Sequence, residues 1–134
     1  MRVRNLYLLA AAALVGCATT ATPRVGGVPS GNMLSAEEIS AAHADNLSAY
    51  DAISRLRPNW LAPHGATTMS NNASDYAIVF VDGQEVGDVT ALRNIQAYQV
   101  GDLHYYNVTE AGAKFGVRAG VTGAIEVLMK GPNR

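Results

Sequence analysis

A short apolar stretch at the N-terminus decides how much of this chain is left to fold. Arg2 and Arg4 introduce ten apolar residues, 6–15, and the small residue Gly16 follows them. A helix that spans a bilayer needs about 20 apolar residues, whereas a charged start, a short apolar run and a small last residue are typical of a cleaved secretory signal. We therefore predict that residues 1–16 are removed on export. The remaining 118 residues suffice for one modest domain with a single core.

The end of that stretch carries the single cysteine of the chain. Leu14-Val15-Gly16-Cys17 resembles the lipobox of bacterial lipoproteins. The resemblance implies cleavage before Cys17 and its acylation with chains such as palmitate, and Ala18 in place of an aspartate implies sorting to the outer membrane, on its periplasmic face. Since one acyl chain holds a protein weakly, two or three are needed for a stable anchor. The alternative is an ordinary secretory signal in which Cys17 is incidental.

Charge and composition divide the exported part into a tether and a domain. Without Arg2 and Arg4, eight basic and eleven acidic residues remain, so the net charge is −3. A mildly acidic chain without basic runs is not expected to bind nucleic acid. Residues 17–34 are rich in Ala, Thr, Gly and Pro and show no helical or strand period, which predicts a flexible tether behind the lipidated cysteine. The domain is predicted to span residues 35–134.

The first element of the domain is predicted to be one long helix. Ser35 and Glu38 have the spacing of a capping box, which favours a helix start. The apolar positions of this helix share one face: Ile39, Ala42, Tyr50 and Ile53. Pro58 disfavours helical geometry in the residue before it and ends the helix. Trp60 and Leu61 are then expected to fold back as apolar anchors.

The rest of the domain changes to the period of strands. Four segments are predicted as strands: 76–81, 84–86, 100–106 and 123–129. The first is nearly all apolar and β-branched, which suits a strand buried on both faces, and Asp82-Gly83 turns the chain into the second. Two sets of residues alternate along the third strand: Val100, Asp102, His104 and Tyr106 against Gly101, Leu103 and Tyr105.

Two short helices complete the predicted domain. Asp88 caps the first, 89–95, and Thr109 caps the second, 109–115, which Gly116 closes. Four residues of the most apolar strands are expected in the core: Ile78, Phe80, Ile125 and Val127. The prediction is a small α+β domain, with a mixed sheet of about four strands, one long helix and two short helices packed on one sheet.

The order of these elements, together with short sequence motifs within them, resembles a known family. Five segments carry the resemblance: 51–58 (DAISRLRP), 78–83 (IVFVDG), 92–105, 111–116 (AGAKFG) and 123–127 (GAIEV). Together they are similar to the plug domain of TonB-dependent outer-membrane receptors over about residues 50–130. The resemblance implies a plug-like fold and an outer-membrane compartment.

Departures from the family bear on function. In the receptors a transmembrane barrel follows the plug, whereas this sequence ends at Arg134. Residues 105–108 (YYNV) stand where the family has LKGP, and no energy-coupling box precedes the domain. The expectation is a free-standing plug without a barrel, and therefore without transport activity of its own.

No catalytic pattern stands out in the chain. Asp102 and His104 lie two residues apart on a strand, a spacing that suits a hydrogen-bonded acid–base pair or half a metal site. A structural metal site needs four ligands, and Cys17 is assigned to lipid while His43 and His64 lie in unrelated segments. The alternative is a polar sheet surface. Since no nucleophile elbow or phosphate-binding loop is present either, we expect no enzyme activity, metal or cofactor.

Two functions remain as expectations. The first is a non-enzymatic accessory module that docks onto an envelope protein, such as a receptor or barrel, with a surface formed by Tyr98, Asp102, His104 and Tyr106. The second is a periplasmic small-ligand binder with a site lined by Trp60, the tyrosines and the loop 63–74. Tyrosines clustered near one strand are either a binding patch or half-buried sheet packing. A pocket lined by Trp60 and Tyr98 favours the ligand, and an unpaired strand edge favours the partner.

Overall fold

The computed structural model of the protein describes residues 31–64 and 75–131. Five strands lie within these residues: β1 (Met33–Ser35), β2 (Ile78–Val81), β3 (Gln84–Asp88), β4 (Val100–Tyr106) and β5 (Ala124–Met129). Four α-helices accompany them: α1 (Ala36–Ala41), α2 (Ala49–Leu56), α3 (Val108–Phe115) and α4 (Ala119–Thr122). Short 3-10 helices span Pro58–Leu61, Val89–Asn94 and Ala97–Gln99. The predicted signal sequence, Cys17, most of the tether and most of the loop 63–74 lie outside the described residues.

The strands form one mixed sheet, so the predicted α+β class is confirmed. The strand order is β1-β4-β5-β2-β3, in which β2 and β5 are parallel and the other pairs antiparallel. Asp82 and Gly83 have φ angles of 48° and 84°, as the predicted tight turn between β2 and β3 requires. The Asp82 carboxylate also accepts a hydrogen bond from the Met129 amide at 3.0 Å, which ties this turn to β5.

The sheet has five strands because the domain begins earlier than predicted. Met33 and Leu34, assigned to the end of the tether, belong to β1, which pairs with β4. Leu34 is fully buried there. Three residues are too few to show a strand period, so only pairing with a strand almost 70 positions away along the chain reveals β1. The boundary predicted at residue 35 is wrong by at least two residues.

The single long helix is also wrong, because the chain breaks between α1 and α2. Ser35 caps α1 as predicted, but the amide of His43 donates to the Ser40 carbonyl and that of Ala44 to the Ile39 carbonyl. With His43 at φ 53°, these bonds make the left-handed helix ending that a glycine usually provides. Ser48 then caps α2 by accepting from the Asp51 amide at 3.1 Å.

The end of α2 follows the prediction. The helix stops at Leu56, with Arg57 as its C-cap before Pro58. Trp60 turns back in the next 3-10 helix and is fully buried, so its prediction as an apolar anchor is confirmed.

Side chains on the two faces of the sheet enter two separate cores. The larger core packs α1, α2 and the 3-10 helices against face one, where Val79, Ile125 and Val127 are fully buried. The smaller core packs α3 and α4 against face two around Phe80, which is 6% exposed. The predicted core strands are therefore paired as neighbours, but Ile78 and Phe80 point to the face opposite that of Ile125 and Val127.

The alternation predicted along β4 fails at its first residue. Val100 and Leu103 are both fully buried in the larger core, although three positions separate them. The register shifts between Val100 and Asp102, so Gly101 forms a bulge and Val100 does not share a face with Asp102. A Cβ at Gly101 would lie 3.3 Å from the Leu128 carbonyl oxygen, which favours glycine at this bulge.

Helix α3 begins one residue before its prediction and has a different cap. The Asn107 side chain accepts from the amides of Thr109 and Glu110, each at 3.0 Å. The Glu110 carboxylate accepts from the Asn107 amide at 3.1 Å, which completes a capping box. Asn107 is therefore the cap, and Thr109 already lies inside the helix. The cap at Asp88 and the ending at Gly116 are as predicted.

The sequence did not predict α4. It crosses α3 so closely that a Cβ built on Gly120 would lie 3.0 Å from Gly112. These two glycines permit the close contact between the two helices. The α3–α4 pair covers only part of face two, and the uncovered part of that face adjoins the candidate site.

Candidate functional site

An open cleft lies where α3 passes over the ends of β4 and β1. Its volume is about 590 Å³, within the range of small-molecule pockets in proteins. The strands and the residue before β1 supply its floor, and one face of α3 supplies its wall at helical spacing. The lining residues are Asn32, Met33, His104, Tyr105, Tyr106, Glu110, Ala113 and Lys114.

A buried carboxylate beside the cleft organises the neighbouring polar groups. Glu126 of β5 is 6% exposed, and its Oε2 lies 2.6 Å from Lys114 Nζ. Lys114 Nζ also donates to the Tyr106 hydroxyl at 2.6 Å, and that hydroxyl donates to Glu126 Oε2 at 2.9 Å. The three groups form a closed triangle, which satisfies a carboxylate that would otherwise be costly to bury. We call Tyr106, Lys114 and Glu126 the polar triangle.

The triangle keeps Lys114 charged. Burial lowers the pKa of Lys114, but the hydrogen bonds to Glu126 and Tyr106, together with the charges of those groups, outweigh burial and raise the pKa above its ordinary value. The ammonium group also lies 4.4 Å from the centre of the Tyr106 ring, a favourable cation–π distance. Lys114 therefore fastens α3 to the sheet as a fixed cation.

Aromatic rings connect the cleft with the smaller core. His104 and Tyr106 stand side by side on β4, with ring centres 6.2 Å apart and planes inclined by 20°. The Tyr106 ring meets the Phe115 ring edge to face, with ring centres 5.5 Å apart. Phe115 in turn stacks on Phe80, with ring centres 3.9 Å apart. The cleft floor is thus held by packing as well as by hydrogen bonds.

Tyr105 belongs mainly to the opposite face of the sheet. Its ring stacks on Trp60 at 5.8 Å and meets His64 at 5.5 Å. Burial raises the pKa of Tyr105, and the negative charge of Glu110 raises it further. Tyr105 and Tyr106 therefore do not form one aromatic patch, and the packing alternative describes Tyr105.

The structure brings together only part of the predicted interaction surface. His104 and Tyr106 meet at the cleft, and Asp102 lies farther along β4, paired with Ser35 of β1. Tyr98 is 54% exposed but precedes β4, and its carbonyl accepts from Lys130 Nζ at 2.8 Å. Tyr98 lies before the start of β4 and Tyr106 at its end, and a strand of seven residues extends about 20 Å. The four predicted residues thus do not form a single continuous patch.

The residues that sequence reasoning missed are Glu110, Lys114 and Glu126. One signal was available, because Glu126 is the single charged residue in the apolar segment AIEVLM. A carboxylate in a strand of that kind needs a partner. The identity of the partner was not readable, since Lys114 comes from another element and meets Glu126 only in the folded domain.

The two features expected to distinguish a ligand site from a partner-binding edge do not take the expected form. Trp60 is fully buried and donates from Nε1 to the Gly31 carbonyl at 3.0 Å, so it does not line an accessible pocket. The exposed edge strand β3 carries Glu85 and Asp88. Its pairing with β2 is irregular, because the register shifts between Val79 and Phe80. Charges and bulges of this kind protect an edge from pairing, so the cleft is the better candidate site.

Neither metal binding nor membrane spanning is indicated within residues 31–64 and 75–131. Over those ranges, no three side chains of the types His, Cys, Asp and Glu are grouped so that they could hold a metal ion. No helix there has the length and apolar character needed to cross a bilayer. Comparisons with protein families, curated proteins and solved structures found no match to this chain.

Proposed function

We propose that this protein is a non-enzymatic accessory lipoprotein, held by Cys17 at the periplasmic face of the outer membrane, whose small plug-like domain docks onto another envelope protein. The observation that carries the proposal is the convergence of His104, Tyr106 and the exposed wall of α3 on one open cleft. The lipobox-like ending and the resemblance to receptor plugs support the compartment.

The chemistry of the polar triangle supports docking over catalysis. A lysine that acts as a base or nucleophile needs a lowered pKa, whereas the pKa of Lys114 is raised. Its ammonium is already paired with Glu126 at 2.6 Å. The cluster is therefore suited to hold α3 in place and so to keep the shape of a binding surface.

The lipid anchor would make even a weak interface effective. A tether that holds the domain near other membrane-bound proteins raises its effective concentration toward them, to about the millimolar range for short flexible linkers. On this proposal, Cys17→Ser releases the protein from the membrane and greatly reduces occupancy of the partner. Intact mass of the membrane-extracted protein checks the anchor, and the mass of an unmodified thiol contradicts it.

Photocrosslinking in intact cells tests the docking site. A photoreactive residue at Ala113, which is exposed in the cleft wall, is expected to capture one envelope protein. The control is the same residue at Val86 on β3, which is 47% exposed at the opposite edge of the sheet. Capture from Val86 alone, or no specific product from Ala113, contradicts docking at the cleft.

A second function is favoured by the size of the cleft. About 590 Å³ is enough for a small molecule, so a periplasmic ligand binder remains the alternative, with its site at the cleft and not at Trp60. A small molecule retained by the purified protein and identified by mass spectrometry, with no protein crosslinked through Ala113, would favour this function.

A further inference from the structure

The charges around the cleft do not cancel. Glu110, Lys114 and Glu126 surround it or lie directly beneath it. Lys114 and Glu126 neutralise each other at 2.6 Å, which leaves the carboxylate of Glu110. The other ion pairs join Arg57 with Glu38 and Arg118 with Glu85, and no lysine or arginine of the described ranges pairs with Glu110. The cleft therefore carries one uncompensated negative charge.

Glu110 is placed to receive a cation. Its side chain is exposed at the cleft, and its contact with the Asn107 amide uses one oxygen, Oε2. An ionised carboxylate has about four acceptor positions on two oxygens, so the helix cap leaves room for a further donor.

Lys114 does not fill this position itself. Its ammonium is held by Glu126 and the Tyr106 hydroxyl, both at 2.6 Å, and it lies over the Tyr106 ring. Although Glu110 and Lys114 are one helical turn apart, the buried carboxylate holds the lysine toward the sheet. The Lys114 ammonium is therefore already paired, whereas the Glu110 carboxylate can still accept a further donor.

The floor of the cleft suits a long side chain with a flat charged end. His104 presents its ring at the cleft beside Met33 of β1, whereas the Tyr106 ring already carries the Lys114 ammonium. A guanidinium stacks on aromatic faces and binds a carboxylate through two parallel hydrogen bonds, and its aliphatic stem packs on apolar surface. A compact ammonium offers only part of this match.

We infer that the cleft receives an arginine side chain of the partner protein, with Glu110 as its ion-pair partner and the ring of His104 as its platform. This inference rests on the proposed docking function and adds the chemistry of the partner. It follows from the unpaired charge at Glu110, the captured cation at Lys114 and the His104 ring at the cleft.

Titration of the isotope-labelled full chain, followed by NMR, tests the inference with defined probes. The capped tripeptide acetyl-Gly-Arg-Gly-amide is expected to shift the amide signals of Ala113 and His104 to saturation, and the matched Glu tripeptide is not. Glu110→Gln retains an amide oxygen for the helix cap but removes the charge, so binding is expected to weaken about two- to fivefold. Glu110→Lys should abolish measurable binding.

The matched control is Asp51→Asn, which removes one exposed carboxylate charge from the first turn of α2, outside the cleft. It should leave the Arg tripeptide affinity unchanged. Equal shifts with the Arg and Glu tripeptides, an unchanged affinity in Glu110→Gln, or the same loss in Asp51→Asn would overturn the inference. Tighter binding of free spermidine than of the Arg tripeptide would also overturn it, because the source of the cation would then be a polyamine.

The outcomes also separate this inference from the docking proposal. Crosslinking through Ala113 in cells together with no response to the Arg tripeptide rejects the arginine but retains the docked partner. A specific response to the tripeptide with no crosslinked protein rejects the docked partner and the arginine assignment with it.

Discussion

The two faces of the five-stranded sheet differ in the elements that cover them and in the side chains that they bury. Face one meets α1, α2 and the 3-10 helices, and within residues 31–64 and 75–131 the ten largest fully buried side chains all lie in that core. Face two meets α3 and α4 around Phe80 and three alanines, and it includes the buried Glu126. We infer that face one supplies most of the stability, whereas face two leaves the polar triangle and the cleft accessible for recognition.

The largest expected effect lies on face one. Trp60→Ala should lower the free energy of unfolding by about 3–5 kcal/mol, because it removes a fully buried ring that stacks on Tyr105 and donates to Gly31. Urea denaturation followed by circular dichroism is the measurement, since Trp60 is the single tryptophan and fluorescence would be lost. Trp60→Phe, which keeps a ring, serves as the control. A loss below that of Trp60→Phe would contradict the role of face one.

Phe80 on face two tests whether the two faces differ in their contribution to stability. Phe80→Ala should cost about 3 kcal/mol, at the low end for a buried aromatic, because Phe115 stacks on it at 3.9 Å and is itself only partly buried. The partly covered core can therefore collapse into some of the space. The same denaturation experiment measures the loss, with Phe80→Leu as the milder control. If Phe80→Ala proves as costly as Trp60→Ala, the two faces do not differ in stability as inferred.

The polar triangle gives the next effect, and the size of this effect depends on pH. Lys114→Met leaves the buried Glu126 with only Tyr106 as a side-chain partner, which should cost about 1–2 kcal/mol at neutral pH, less than for a fully buried pair because Lys114 is 43% exposed. Lys130→Met, which removes an exposed lysine that donates to the Tyr98 carbonyl, is the control and should change little.

The pH dependence follows from the raised pKa of Lys114. A base whose pKa is higher in the folded state contributes its full stability below the unfolded value, about 10.4 for lysine. That contribution is lost as the pH rises through the folded value. The difference between the natural protein and Lys114→Met should therefore shrink at alkaline pH. A difference that grows above about pH 10 would contradict the triangle.

Local signals predicted much of face one and of the turns. The apolar run before Asp82-Gly83 and the stop at Pro58 depend on neighbouring residues, and both are confirmed. The misses depend on contacts between distant segments or on unusual backbone geometry. β1 exists through its pairing with β4, and His43 adopts a left-handed conformation that sequence patterns assign to glycine.

The candidate site was less predictable than the fold for the same reason. His104 and Tyr106 share one face of a strand, and period-two alternation identified that pair correctly. The bulge at Gly101 and the 3-10 helix before it carry Tyr98 away from the pair. Lys114 and Glu126 meet across two elements, so their pairing follows from the packing of α3 on the sheet and not from any local pattern.

The smallest expected effect separates the cap of α3 from the charge of the cleft. Asn107→Ala should cost about 1 kcal/mol, because it removes the acceptor of two amides at 3.0 Å. Glu110→Gln should change stability by less than about 0.5 kcal/mol, since a glutamine oxygen can still accept from the Asn107 amide. Thermal unfolding of both variants beside the natural protein measures the two values. A Glu110→Gln protein that is as stable as the natural one but binds the Arg tripeptide more weakly would show that this carboxylate acts in recognition on face two beyond its role in the cap. Equal destabilisation by both substitutions would instead assign Glu110 to the helix alone.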